Sequence, residues 1–277
     1  MRSLLFIWVF IVPSFAVAGP MPRGEFVESE VKLRPVPTGI GMSVSVGRRA
    51  PFYANEHLAL EHNGIAYGAY VQFSPVSLHP GVFMKVIPLT VLELEFGVQA
   101  LSYFGVLNSV LSYPSTQGNW SQGGQKAQRD VRGVEPGYGW SGFGIARLKL
   151  KVSSVVLVSE YEFRHLQLLG PKTEAWFDPE RNLLMKSTDT YQRSLSILGW
   201  LFGPSMSNAH ILAMVSWSEF NTLKTSHRHL GGLGLIRQRS TGPVNTRWLL
   251  ILATYLEDQY QSNELFGAFV WKRSWSL

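Results

Sequence analysis

The chain has 277 residues and no cysteine, so disulfides, cysteine nucleophiles and cysteine-based metal sites are excluded. Charged residues make up only 16% of the chain, against roughly 25% in ordinary soluble domains, while 45% is hydrophobic and 13% is aromatic. An ordinary soluble protein of this size needs more charge on its surface. The length suits one large domain or two small ones, and the composition favours a protein that faces lipid.

The N-terminus has the three parts of a secretory signal peptide. Residues 1–3 are short and positively charged, residues 4–17 are apolar, and residues 16–18 form a small-residue cleavage site ending at Ala18. The apolar run is too short for a transmembrane helix. We therefore predict a signal peptide at residues 1–18 and export of the mature protein after cleavage near Ala18.

The basic character of the chain bears on which partners the protein binds. The formal charge is +6 and the pI is about 9.5, which in another setting would point to nucleic acid. For an exported protein, contact with membrane lipid and lipopolysaccharide is the simpler explanation, so we predict no nucleic-acid partner. The sequence does not predict an oligomeric state.

Prolines and polar residues dominate residues 19–38, which predicts an exported N-terminal arm or linker with a short strand at residues 31–33. Residues 39–47 then alternate between larger apolar side chains and Gly or Ser. This pattern predicts a strand whose inner face is crowded, at the start of a barrel domain spanning residues 39–277. The partner of that strand is either residues 26–34 or residues 55–62.

Period-2 alternation continues along the rest of the chain and predicts antiparallel strands. Ten further strands are predicted at residues 64–74, 82–88, 90–103, 141–152, 155–166, 191–202, 209–221, 230–239, 246–257 and 264–276. With the strand at 39–47 and its partner the total is twelve, an even number as in bacterial single-chain barrels, with ten as the alternative. No segment after the signal peptide is long and apolar enough for a membrane helix, so a mature chain in a membrane must cross it as a closed barrel.

Connection lengths support the same architecture. Long polar segments at residues 105–138 and 168–190 alternate with tight connections at residues 153–154 and 203–208. Outer-membrane barrels have long outside loops and short periplasmic turns. The predicted fold is therefore an all-β, transmembrane, antiparallel up-and-down barrel.

One pair of strands allows a test of register. A tight turn at residues 153–154 places Arg147 opposite Glu160, a favourable cross-strand pair. Charged residues on one face of this pair and of the 90–103 strand are Glu93, Glu95, Arg147, Lys149, Lys151, Glu160, Glu162 and Arg164. Apolar residues on the other face of the pair include Leu148, Leu150, Leu157, Tyr161 and Phe163.

The two faces decide the function class. In a membrane barrel the apolar face meets lipid and the charges line the lumen, whereas a soluble barrel has the opposite arrangement. We predict the membrane arrangement. The lumen charges then form either a selectivity-determining lining or internal gate, or a structural network; the second is favoured because small barrels are often filled by their own side chains.

The C-terminal strand carries a resemblance. Phe269, Trp271, Trp275 and the terminal Leu277 alternate on one face. This pattern resembles the C-terminal strand of Gram-negative outer-membrane β-barrel proteins, and the resemblance implies an outer-membrane location and folding by the barrel-assembly machinery. Residues 33–105 are also loosely similar to outer-membrane barrel proteins of unassigned function, which implies no activity.

Little in the sequence points to catalysis. His165, His227 and His229 lie at predicted outside loops, where solvated histidines are a simpler interpretation than a metal site, and we predict no metal and no cofactor. Neither a Gly-x-Ser-x-Gly elbow nor a His-Glu-x-x-His motif is present, so an enzyme is less favoured.

Three interpretations stay open. The first is an outer-membrane barrel that acts as a narrow channel or a structural envelope component with a charged lumen. The second is an outer-membrane enzyme acting on lipid or peptide at the barrel rim. The third is a soluble exported ligand-binding β-barrel. The low charge content, the loop pattern and the C-terminal strand favour the first.

Overall fold

A computed structural model describes residues 23–36, 38–52, 63–106, 110–115, 118–170, 175–205, 208–221, 227–258 and 264–276. The predicted signal peptide and the alternative partner strand at residues 55–62 lie outside the described residues.

Fifteen strands and one helix follow one another along the described chain. They are β1 (Gly24–Val36), β2 (Thr38–Ala50), β3 (Gly64–Ser74), β4 (Ser77–Leu89), β5 (Leu92–Phe104), β6 (Leu111–Tyr113), α1 (Gln122–Arg132), β7 (Pro136–Val152), β8 (Val155–Leu169), β9 (Ala175–Asp178), β10 (Leu183–Lys186), β11 (Thr188–Ser205), β12 (Asn208–Asn221), β13 (His227–Thr241), β14 (Val244–Asp258) and β15 (Leu265–Ser276). Strands β6, β9 and β10 form a small separate sheet, and the other twelve close into an antiparallel barrel in which β1 pairs with β15. The predicted twelve-stranded barrel is confirmed.

Register between β7 and β8 also matches the prediction. Val152 lies opposite Val155 across the turn, and Arg147 lies opposite Glu160. Ser153 in that turn has a positive φ of 54°, which a two-residue hairpin turn requires. The tight turn therefore sets which side chains share a face along both strands.

The barrel begins earlier than the sequence indicated. Strand β1 lies within residues 19–38, which were predicted as an N-terminal arm, and it pairs with β2 along its length. Residues 26–34 are thus the partner of the second strand, and the barrel starts at Gly24 rather than at residue 39. Because the inward positions of β1 are mostly charged, its sequence resembles a polar linker.

Both chain ends of the barrel lie at the same end, which we call the inner end. The tight connections β4–β5, β7–β8, β11–β12 and β13–β14 are also there, whereas the long β5–β7 and β8–β11 connections lie at the opposite, outer end. Two features differ from the predicted alternation of long outer and short inner connections. The β1–β2 and β3–β4 connections at the outer end are short, and the β2–β3 connection at the inner end, residues 51–63, is long.

A belt of exposed apolar side chains surrounds the barrel. Trp200, Phe202 and Trp248 are exposed near the inner end, and Tyr138 and Trp140 are exposed near the outer end. The exposed residues between these aromatic rims are mostly aliphatic. An apolar band flanked by aromatic girdles is the arrangement of a lipid-facing barrel surface.

The two long outer connections fold together instead of forming the polar loops that the sequence predicted. Strands β6, β9 and β10 and helix α1 make up this unit, which we call the outer cap. Helix α1 begins at Ser121, whose hydroxyl accepts a hydrogen bond from the Gly124 N–H at 3.2 Å, and ends at Gly133, whose φ of 74° suits glycine. No helix among the described residues is long and apolar enough to cross a membrane.

Buried side chains attach the outer cap to the barrel. The shared core contains Leu101, Tyr103, Val110, Leu111, Tyr113, Trp120, Leu166, Leu168, Ala175, Trp176, Phe177, Leu183, Leu184, Met185 and Tyr191. Each apolar run in the cap is only three or four residues long, so its period could not be recognised in the sequence.

We expect a charge at mid-height on the outer surface to be costly. Val98, at the middle of β5, is 54% exposed, and Val98→Arg should lower the free energy of unfolding by roughly 2–4 kcal/mol. Val152→Arg is the matched control, since Val152 is 75% exposed beside an inner-end turn, where the cost falls to about 0–1 kcal/mol. Urea unfolding in lipid vesicles measures both values, and equal losses would argue against a lipid-facing belt.

Candidate functional site

Arg147 is the centre of the charged wall of the lumen. Its Nη1 lies 2.5 Å from Glu93 Oε1 and 2.5 Å from Glu95 Oε2, and its Nε lies 2.7 Å from Glu160 Oε2. Strands β5, β7 and β8 are neighbours, and Arg147 stands directly opposite both Glu93 and Glu160. One guanidinium therefore connects three carboxylates across three strands.

Two lysines extend the network, Lys149 on the inner-end side of Arg147 and Lys85 on β4 opposite Glu95. Lys149 Nζ is 2.5 Å from Glu93 Oε2, and Lys85 Nζ on β4 is 3.2 Å from Glu93 Oε1. Lys85 Nζ also lies 3.6 Å from Glu95 Oε2. Glu93 is buried, so these cations offset the cost of removing its charge from water.

Two arginines extend the network toward the outer end. Arg193 on β11 donates to Glu160 and lies 2.9 Å from Glu162 Oε2, and Arg164 Nε lies 2.8 Å from Glu162 Oε1. Arg193 thereby joins β11 to β8, although a long connection that includes part of the cap separates the two strands in sequence.

The structure brings most of the predicted lumen residues into this network. Its members from the prediction are Glu93, Glu95, Arg147, Lys149, Glu160, Glu162 and Arg164. Lys151 lies on the same face near the inner-end turn and is exposed. On the outer surface of the same strands, Leu148, Leu150, Tyr161 and Phe163 are exposed and Leu157 is half-buried.

Sequence reasoning missed a second ionic cluster where the barrel closes. Glu28 on β1 lies 2.8 Å from Arg49 on β2 and 2.8 Å from Lys272 on β15. It also missed Lys85 and Arg193. Each of these residues occupies one of the alternate strand positions that point into the lumen. That alternation was the only feature in the sequence that could have identified them, because the neighbouring strands were not known.

The opposite wall of the lumen is apolar. Strands β11 to β15 and the inner part of β8 contribute a buried cluster that includes Leu195, Ile211, Leu230, Leu249 and Ile251. This cluster explains the run at residues 248–252, which is apolar on both faces: Leu249 and Ile251 pack inward while their neighbours are exposed. The lumen therefore carries most of its ionic network on one side and a buried apolar cluster on the other, although that side also carries charged residues such as Arg193, Arg228 and Lys272.

A cavity of about 490 Å³ lies between the two walls. Its lining includes Glu95 and Arg147 from the charged wall and Leu249 and Phe266 from the apolar wall. The inner face of β2, which carries only glycine and serine from Gly39 to Ser45, also lines it and leaves it room.

The turn between β9 and β10 lies across the outer mouth of this cavity. On one side the Ser77 hydroxyl of β4 donates to Glu180, and His79 Nδ1 lies 3.4 Å from Glu180 Oε2. Arg181 donates to Asp178 within the turn. Burial disfavours the charged form of the Arg181 guanidinium, but the Asp178 carboxylate outweighs this effect and holds the pKa of Arg181 well above its usual range.

Arg228 on β13 holds the other side of the turn. Its Nη1 donates to the Arg181 carbonyl at 3.0 Å, its Nη2 donates to the Asn182 carbonyl at 2.5 Å, and its Nε donates to Asp258 on β14 at 3.0 Å. Arg34 on β1 reaches the Pro179 carbonyl at 3.5 Å. The turn is therefore bonded to strands on opposite sides of the barrel and closes its mouth.

The C-terminal strand lies where its pattern requires. Trp248, exposed on the outer surface, contacts Phe269 and Trp271 with ring centroids 5.6 Å and 6.1 Å apart. Arg273 stacks on Trp275 at 5.0 Å, and Leu277 lies outside the described residues. A role for this strand as an assembly signal stays a prediction.

The histidines singled out in the sequence lie on the outer surface of the barrel. His227 and His229 face outward on β13, with the buried Arg228 between them, and His165 faces outward on β8 beside Thr190. Within the described ranges, no three or more histidine and carboxylate side chains are grouped so that they could hold a metal ion.

Comparison with known proteins gives a fold and no family. No protein-family model and no curated protein sequence matches the chain. The β-domain of the Bordetella autotransporter BrkA is similar in structure, with a TM-score of 0.53, 13% identity, and coverage of 92% of this chain and 99% of that chain. This likeness supports the barrel fold alone.

Two other solved structures are more distant. LpxR from Salmonella typhimurium has a TM-score of 0.45 and 9% identity, covering 91% of this chain and 100% of that one. The KdgM porin has a TM-score of 0.42 and 7% identity, covering 91% and 99%. No argument about function rests on either likeness.

Replacing Arg147 tests the network. Arg147→Leu leaves Glu93, Glu95 and Glu160 without their shared cation, and we expect a loss of about 3 kcal/mol in the free energy of unfolding. Lys151→Leu, on the same strand and face but exposed, should change it by less than about 0.5 kcal/mol. Urea titrations measure both, and a neutral Arg147→Leu variant would mean that water solvates these carboxylates adequately.

Proposed function

We propose that the protein is an integral barrel of the Gram-negative outer membrane and a narrow channel whose charged lumen is held shut at its outer mouth by the outer cap. The observation that carries this proposal is the β9–β10 hairpin, whose turn lies across the mouth and which bonds to inward side chains of β1, β4, β5 and β13. Beneath the turn lies a partly polar cavity of about 490 Å³.

Membrane location is supported by the outer surface. The exposed apolar belt with aromatic residues at both rims suits lipid, whereas a soluble barrel of this kind would place its ionic network outward and its apolar residues inside. The soluble ligand-binding alternative is therefore disfavoured. Lipid, lipopolysaccharide and the barrel-assembly machinery are the partners that this location implies.

A structural envelope component is the second candidate. The observation that favours it is the completeness of the ionic network, in which Glu93, Glu160 and Glu162 each have two or more cationic partners. A network paired in this way braces neighbouring strands and offers few vacant charges to a passing ion. The two candidates differ in what happens when the cap is removed.

Removing the hairpin separates the candidates. We expect the intact protein to show little conductance in planar bilayers, and a variant with residues 175–186 replaced by a short Gly-Ser linker to show steady conductance. Lys126→Ala, on the exposed surface of α1, is the matched cap control and should remain closed. Both variants must retain the heat-dependent gel shift of a closed barrel.

Each outcome has one meaning. Steady conductance only after hairpin removal supports the gated channel. A folded, hairpin-less barrel that still does not conduct supports the structural role, and steady conductance of the intact protein would contradict closure by the cap. Arg228→Ala, which releases the turn at two carbonyls, should give intermittent openings, whereas Arg239→Ala, exposed on the same strand, should not.

A further inference from the structure

A serine and a histidine form a close pair on the outer surface of the barrel, away from the lumen. Ser218 on β12 stands directly opposite His229 on β13, and Ser218 Oγ lies 2.6 Å from His229 Nδ1. The next positions, Glu219 and Arg228, are buried and point inward. Because successive side chains alternate along a strand, Ser218 and His229 face outward.

A carboxylate stands on the other side of the histidine. Glu257 on β14 is paired with His229 at a bulge in the β13–β14 ladder, and its side chain is exposed. Opposed residues of an antiparallel pair have Cβ atoms about 5 Å apart, so Glu257 stands beside His229. His227 Nδ1 lies 3.3 Å from Glu257 Oε1 on the same surface. Serine, histidine and acid thus follow one another across three neighbouring strands.

The position of this cluster along the barrel axis is a second observation that bears on what the cluster could bind. Ser218 and His229 lie within a few residues of the outer ends of their strands. Directly below them on the same three strands, Met214, Leu233 and Leu252 are 43%, 58% and 64% exposed. An amphiphile lying against the barrel would place its acyl chain on these side chains and its ester group near the serine.

A glycine shapes the surface beside the pair. Gly231 is the next outward position after His229, and a Cβ there would lie 2.8 Å from Leu256 Cδ1. Leu256, itself exposed, can therefore lie over the bare backbone. The result is an apolar wall immediately beside the hydroxyl.

We infer that Ser218, His229 and Glu257 form a hydrolytic site for long-chain acyl esters carried by amphiphiles of the surrounding outer leaflet. This inference rests on the proposed membrane location but is independent of the channel, because the site faces lipid. Ser218 is the nucleophile, His229 the general base, and Glu257 a positioning residue whose nearby negative charge stabilises the imidazole cation.

The reaction balances with water as the only co-reactant. Ser218 Oγ attacks the ester carbonyl carbon while its proton passes to His229, and collapse of the tetrahedral intermediate breaks the carbon–oxygen bond as His229 protonates the leaving alcohol. Water, deprotonated by His229, then attacks the acyl-serine and releases a fatty acid and the free hydroxyl. At the outer rim, water reaches the site from the aqueous phase.

Release of fatty acid from the full-length protein tests this activity. The purified barrel is mixed with phosphatidylethanolamine–phosphatidylglycerol vesicles in one arm and with purified lipopolysaccharide in the other, and free fatty acid is quantified. Ser218→Ala and His229→Ala should each reduce the rate by about 100-fold or more. Glu257→Gln should lower kcat with little change in KM and shift the pH profile, which a purely structural role would not do.

The chain offers matched controls on the same surface. Ser194→Ala removes the serine directly opposite Ser218 on β11, and His165→Ala removes an outward histidine on β8. Both should retain full activity and the heat-dependent gel shift. An organophosphonate probe should label the intact protein at Ser218, as located by mass spectrometry, and should not label Ser218→Ala.

The outcomes separate the sources and the two proposals. Activity in one arm only assigns the ester to phospholipid or to lipopolysaccharide. A heat-shifting barrel that releases no fatty acid in either arm and takes no label at Ser218 overturns the hydrolytic site while leaving the channel proposal intact. Conversely, Ser218→Ala should leave the conductance of the hairpin-less barrel unchanged.

Discussion

Closure of twelve strands into a narrow barrel is the constraint on which the rest depends. Closure sends alternate side chains of every strand into a narrow lumen, so buried inward charges need partners nearby. Arg147 meets this need for three carboxylates at once, and Arg193 and Lys85 extend the pairing to the flanking strands. The ionic network is therefore a consequence of barrel closure and also stabilises the closed barrel.

The lumen is not uniform, and this asymmetry shapes its function. A charged wall on β4, β5, β7 and β8 faces an apolar wall on β11 to β15, with the cavity between them and the cap above. The β9–β10 turn depends on partners from both sides of the mouth, chiefly Arg228 on β13 and Ser77 on β4. A hairpin bonded to opposite walls can close the barrel without lengthening any strand.

The outer surface carries a different kind of chemistry. The lumen charges are mutually paired, but Ser218 and His229 face outward above an aliphatic belt, where a lipid ester could meet them. The alternation of side chains along each strand is thus enough to separate the paired charges of the lumen from the serine and histidine on the outer surface. A one-residue slip of β12 against β13 would turn Ser218 inward and bring Glu219 to lipid.

Local patterns in the sequence determined eleven of the twelve barrel strands and the face of the charges from Glu93 to Arg164, because period-2 alternation depends only on neighbouring residues. The turn at Ser153 and Ser154 determined the Arg147–Glu160 register for the same reason. Only the tertiary structure decided that β1 is a barrel strand, that Arg193 completes the network, that short apolar runs form a cap, and that Ser218 meets His229. Each of these depends on which strands become neighbours and in what register, and that is set by closure of the whole sheet.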